Sequence, residues 1–123
     1  MTVSLLAFGF KHGIPPNLDL LLDVRFLRNP NYEPDLAEKT GADPAVAAFI
    51  ERDPALAPFL SHLFPLLDFL LREYERTGRE RVTIGLGCTG GRHRSVFVAH
   101  RLARHLAQRF ETVETIERDV ELA

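Results

Sequence analysis

The chain has 123 residues, 46% of them apolar and 26% charged, and a formal net charge of −2. That is one domain's worth of chain with an ordinary globular core, and no apolar run reaches the roughly 18 residues a membrane-spanning helix needs. A single cysteine excludes an internal disulfide and makes a reducing cytoplasm the expected compartment.

The small net charge hides an uneven distribution. Residues 72 to 109 carry Arg72, Arg76, Arg79, Arg81, Arg92, Arg94, Arg101, Arg104 and Arg109 against only Glu73, Glu75 and Glu80. Such a stretch is either a solvated helix face or an electrostatic footprint for phosphates.

In chain order, MTVSLLAFGF has no basic flank and reads as a first strand, Val3 to Phe10, rather than a signal peptide. KHGIPP breaks it. LDLLLDVRF (Leu18 to Phe26) is a nearly continuous apolar run of strand length, expected to be buried on both faces, with Asp23 and Arg25 at its carboxyl end. RNPNYEPDL is a proline-punctuated loop. Asp43-Pro44 and Asp53-Pro54 are two helix starts. From Pro54 to Thr77 apolar residues recur at helical spacing, Pro65 predicts a kink, and Gly78 stops the helix.

RVTIGLG (Arg81 to Gly87) is the third strand, and Gly90-Gly91 turns it into another helix. Val96, Ala99, Leu102, Ala103, Leu106 and Phe110 make its apolar stripe; Arg94, Arg101, Arg104, His105 and Gln108 gather opposite. TVETIERDV alternates as a last strand. The order predicts a single α/β domain over residues 1–123, a small, mostly parallel sheet flanked by helices. Ligands of such sheets bind beyond the strands' carboxyl ends.

That is where GCTGGRHRS (Gly87 to Ser95) lies. Its glycines allow close backbone approach, the open helix start supplies N–H donors, and Thr89, Ser95, Arg92 and Arg94 add hydroxyls and guanidinium forks. The chemistry points to a phosphate-type anion. The same letters fit a second template, the CxxGxxR[ST] loop of cysteine phosphatases, in which Cys88 would attack phosphorus and Arg94 would hold the phosphate. Against it, Gly87 stands where those enzymes generally place a histidine, and only Asp23 and Asp68 offer themselves as general acid. His93 reads as a phosphate donor, and His62, His100 and His105 as surface or cap residues. No metal-ligand spacing is present, and no cofactor is expected.

FGFKHGIP (Phe8 to Pro15), DLLLDVRFLRNP (Asp19 to Pro30), TGADPAVAAFI (Thr40 to Ile50) and IGLGCTGGRHRSVFVAHRLA (Ile84 to Ala103) follow one another in this order. Together they closely resemble the C-terminal domain of the RapZ family of bacterial RNase adapter proteins, over nearly the whole chain. The resemblance implies a fold similar to a sugar-phosphate-binding part of phosphofructokinase, dimers, RNA binding as an adapter for a ribonuclease, and sensing of glucosamine-6-phosphate. It implies a non-catalytic module in which Cys88, Thr89, Gly90, Gly91, Arg92, His93 and Arg94 face phosphate. Asp23 and Arg25 would complete the cleft, with Lys11 and His12 at its rim. Two departures stand out. GxxxxGK[ST], the signature of the family's nucleotide-binding half, is absent, so the chain reads as a stand-alone domain. The tail ETIERDVELA is acidic where such chains commonly end in a basic one, which leaves Arg101, Arg104 and Arg109 as the candidate RNA contacts.

Overall fold

A computed structural model describes residues 1–122. The elements are β1 (Thr2–Gly9), β2 (Leu20–Asp23), α1 (Pro44–Glu51), α2 (Leu56–Arg76), β3 (Arg81–Cys88), α3 (Arg94–Leu106) and β4 (Thr112–Glu117). All four strands are parallel, in the spatial order β2-β3-β1-β4. A four-stranded parallel sheet flanked by three helices is the α/β arrangement the sequence predicts.

Register explains the core. Val3, Leu5 and Ala7 of β1 pair with Val82, Ile84 and Leu86 of β3, so one face of the sheet carries all six. Leu60, Leu63, Leu67 and Leu71 of α2 and Val96, Ala99, Leu102 and Leu106 of α3 join them in one buried cluster. Their spacing of three and four is the reason each helix has one apolar stripe. The opposite face has two gaps at Gly85 and Gly87. Leu18 and the rings of Phe8 and Phe10 fill them, and a Cβ on Gly87 would come 2.5 Å from Phe10 and 2.8 Å from Phe8.

The second strand corrects the sequence reading. Only Leu20–Asp23 is extended, it lies at the sheet edge, and its residues alternate between half-buried and exposed. Leu21 faces solvent, while Val24 and Leu27 are buried as loop residues. The run is apolar because the loop after β2 feeds the core, not because the strand is covered on both faces.

The two aspartate-proline signals end differently: the first caps α1, while α2 begins past Pro54, at Leu56 with Ala55 as its N-cap. Asp43 Oδ1 accepts from Ala45 N (2.8 Å), starting α1. Asp53 Oδ1 accepts from Ala55 N, and its other oxygen accepts from Arg28 N (2.7 Å), so the turn before α2 also fastens the loop that follows β2. Pro65 lies inside α2, which runs on to Arg76. No single helix among the described residues is long and apolar enough to cross a membrane.

Candidate functional site

Parallel pairing brings the carboxyl ends of the strands together. Gly9 is level with Cys88, and Asp23 with Gly87. The segment after β3 then bends back over β1 before α3 begins. Gly91 takes φ +84°, a left-handed conformation that glycine adopts without strain. A Cβ there would sit 2.5 Å from Gly9 N, and one on Gly9 would overlap the Gly90 carbonyl. The two backbones touch with no side chain between them.

Asp119, just past β4 and 1% exposed, locks this contact. Its Oδ2 accepts from Gly9 N at 2.8 Å, and Arg118 donates to both oxygens at 2.9 Å. Burial by itself would raise the carboxyl's pKa. The Arg118 and Gly9 hydrogen bonds, helped by the charges of Arg118 and His12, outweigh it and hold the group below its ordinary range.

α3 therefore starts at a fixed point. Its N-cap residue, His93, makes no capping bond, so the first-turn N–H groups have neither a side-chain cap nor an intrahelical acceptor. A cavity of about 90 Å³ opens beside them, lined by Lys11, Asn29, Asn31, Cys88, Thr89, Gly90, Arg92, His93 and Arg94. That is room for a few waters or a small oxyanion.

Arg94 is the unexpected member. The helical pattern puts it on the open side of α3, yet it is 4% exposed. Nη1 donates to Arg25 O (2.8 Å) and Leu27 O (2.9 Å), and Nη2 reaches Thr89 Oγ1 at 3.4 Å. Nε is buried with no partner. The reason for burial is the loop after β2, which folds over the start of α3 and presents its carbonyls there. Arg94 thus stands in the wall of a polar cavity with one donor, Nε, buried and unpaired.

Its neighbours in the loop are anchored by main-chain oxygens. Arg92 donates from Nε to Val120 O (3.0 Å) and from Nη1 to Ala37 O (3.3 Å). His93 Nε2 lies 3.0 Å from Ala37 O and 3.2 Å from Leu36 O; carbonyls only accept, so that nitrogen carries the proton. Burial pushes the His93 pKa down, more than those carbonyls restore it. Cys88, 2% exposed, donates from Sγ to Ser95 Oγ at 3.2 Å.

Of the residues the sequence singles out, Lys11, Cys88, Thr89, Gly90, Arg92, His93 and Arg94 share the cavity wall. Gly91 and Ser95 are buried behind it. Asp23 and Arg25 lie outside it, locked to each other by an ion pair of 2.7 Å, with Arg25 over the Phe10 ring. The bonds from Arg25 keep the Asp23 pKa low. His12 also lies off the wall, its Nε2 buried and unpartnered. Sequence reasoning missed Asn29, Asn31 and Asp119. The two asparagines sit in a loop with no periodicity to mark them, and an aspartate in the alternating stretch ERDV carries no signal of its long-range bond.

Farther along the chain, Arg101 of α3 lies 3.6 Å from Glu51, and Arg109, past the end of α3, lies 3.2 Å from Asp68. Asp68 also bonds His105 at 2.9 Å, and the His105 ring stacks on Phe64. His105 is therefore partly enclosed rather than on the open side. Among the described residues no three His, Cys, Asp or Glu side chains are grouped to hold a metal ion.

The family described as the RapZ C-terminal domain matches residues 1–121. The chain belongs to the RapZ C-terminal domain family. It is 47% identical over 120 residues to a nucleotide-binding protein of Thermotoga sp. (strain RQ2), covering 98% of this chain and 43% of that one. A nucleotide-binding protein of Limosilactobacillus fermentum is 46% identical over 121 residues, 98% of this chain and 42% of the relative. One from Rubrobacter xylanophilus is 51% identical over 106 residues, 86% and 35%. The chain thus spans about two fifths of the length of the curated relatives it matches. In this RapZ C-terminal domain each of the four quoted stretches reaches the cavity or its supports. FGFKHGIP carries Gly9 and Lys11, DLLLDVRFLRNP carries the carbonyls that hold Arg94, TGADPAVAAFI sets its second residue, Gly41, against the His93 carbonyl, and the fourth is the loop itself.

Proposed function

We propose that this domain is a non-catalytic module that holds the phosphate of a phosphorylated small metabolite at the start of α3. The observation that carries this reading is Arg94: a guanidinium 4% exposed, with its Nε unpartnered, in the wall of a polar cavity beside an uncapped helix start. Lys11 at the mouth adds a cation, and the amides of Asn29 and Asn31 suit hydroxyl or amine groups on the remainder of the ligand. A cavity of this size takes the phosphate and leaves the remainder at the rim, which fits a hexosamine phosphate such as glucosamine-6-phosphate.

The test is a thermal-shift panel of inorganic phosphate, hexose phosphates and glucosamine-6-phosphate. A ligand at about 100 times its Kd adds about 2.7 kcal/mol, a rise on the order of 10 °C for a domain of this size. Lys11→Ala, an exposed position, is the variant of choice because Arg94→Ala would disturb the fold itself. It is expected to weaken binding about tenfold, the loss of one charge-assisted bond. No shift with any phosphate at millimolar concentration overturns the reading.

Cys88 in the cavity wall is the one observation that favours phosphatase chemistry. Three features weigh against it: the thiol is engaged with Ser95, Nη1 of Arg94 is spent on two carbonyls, and no aspartate lines the cavity. Turnover of an aryl phosphate that disappears in Cys88→Ser would replace the binding-only reading. RNA contacts, if this domain makes them as its resemblance implies, fall to the exposed side of α3. Of the three arginines named for that role, Arg104 is exposed and, unlike Arg101 and Arg109, faces no acid among the described residues.

A further inference from the structure

We propose that Cys88 is an oxidation site for hydrogen peroxide, and that its product, a sulfinate, occupies the place of the ligand's phosphate. This rests on the phosphate reading of the cavity and adds a control on the same site. Cys88 is the only cysteine of the chain. It is 2% exposed but stands in the cavity wall, so whatever enters the cavity can meet the sulfur. A space of about 90 Å³ admits peroxide, a molecule not much larger than water. A thiol of glutathione's size does not fit, and the chain has no second cysteine to close a disulfide. An oxidised Cys88 therefore has one course open, further oxidation.

A second observation says what receives the new oxygens. Arg94, 4% exposed, lines the same cavity, and its Nε is buried without a partner. An unpaired buried donor is destabilising until an acceptor is placed beside it. The start of α3 has no side-chain cap, so its first N–H groups also favour an anion. Ser95 Oγ accepts from Sγ at 3.2 Å. A hydroxyl donates as readily as it accepts, so after oxidation the same bond can run the other way. No aspartate or glutamate lines the cavity to repel the charge.

The steps balance with peroxide as the only co-reactant. Sulfur attacks one peroxide oxygen: an S–O bond forms, the O–O bond breaks, and the departing hydroxide leaves with the thiol proton as water. A second peroxide adds a second oxygen in the same way. Sulfur is oxidised, each peroxide is reduced to water, and the sulfinic acid loses its proton at neutral pH. Phosphatase chemistry asks more of the site, a free guanidinium fork and a general acid, which cleavage of the weak O–O bond does not need.

Peptide mass spectrometry on the whole chain, alongside thermal shift with inorganic phosphate, tests this. Millimolar peroxide should add two oxygens, about 32 Da, to the peptide that holds Cys88. Met1, the only methionine, reports non-specific oxidation on a different peptide. The share of molecules that lose the phosphate shift should track the Cys88 sulfinate and not the Met1 sulfoxide. Phosphate at about ten times its Kd should slow Cys88 oxidation about tenfold, because it leaves only that fraction of sites open. A thiol left intact in the folded chain overturns the proposal. So does a sulfinate-bearing chain whose phosphate shift is undiminished, or an oxidation rate indifferent to bound phosphate. If the untreated chain gives no phosphate shift, the binding reading fails and takes this one with it; a normal shift with an inert thiol defeats this proposal alone.

Discussion

At position 94 a guanidinium is buried between the loop after β2 and the start of α3, and its two carbonyl bonds make it structural before it is anything else. Removing it leaves the oxygens of Arg25 and Leu27 without a donor inside a cavity. Arg94→Ala is expected to lower stability by about 2–4 kcal/mol in urea titrations. Arg94→Lys keeps the charge but has no fork to reach both carbonyls, so it should recover only part of the loss. Asp119 calls for a pH experiment. Its folded pKa lies below the ordinary 3.8, so its contribution is present above that value and vanishes as pH falls through the folded pKa. Acid titration of stability should therefore be steeper in the wild type than in Asp119→Asn. His93 has the same sign by a different route. Its folded pKa lies below 6.5, so the unfolded chain takes up the proton first and stability declines as pH drops below 6.5. His93→Gln should flatten that decline.

Among the elements, the join between β3 and α3 is the one with least freedom. Gly9, Gly90 and Gly91 pack backbone on backbone, and Gly41 does the same against the His93 carbonyl. Gly9→Ala inserts a methyl group where main-chain atoms already stand, which a packed interior answers with strain. The expected loss exceeds about 3 kcal/mol by chemical denaturation. Gly13→Ala meets no neighbouring atom, and its cost is that of the backbone alone: φ 91° and ψ 148° lie in a region essentially reserved for glycine, about 1–3 kcal/mol. Equal losses at the two sites would contradict the backbone contact. β1 and β3 were legible as short apolar, β-rich runs that end in glycine turns, and α2 and α3 by apolar residues at steps of three and four. The extent of β2 was not, since Leu18, Val24 and Leu27 are apolar for a reason outside the strand. A contiguous apolar run cannot distinguish a covered strand from a short strand followed by a core-facing loop.

For the molecule as a whole, charge sets what a polyanion would find. Arg101 and Arg109 already face acids at 3.6 Å and 3.2 Å. If only Arg104 contacts RNA phosphates, log K should fall with log[salt] at a slope of about −0.7; three free arginines would give about −2. Filter binding across a salt series separates these, and a slope near −2 would show that the ion pairs open for RNA.

The sequence alone determined that an α/β domain would place GCTGGRHRS beyond the ends of parallel strands. Spacing of apolar residues and the glycine turn are local properties, and local physics decides them. Which loop residues face the cavity was a tertiary matter. Three carbonyl-rich segments, after β2, before α1 and after β4, fold against the loop and take up the side chains of Arg92, His93 and Arg94. Asn29, Asn31 and Asp119 joined the site for the same reason. Hydrogen bonds between residues 25 to 110 positions apart have no signature in the neighbouring letters, because chain topology alone brings their ends together.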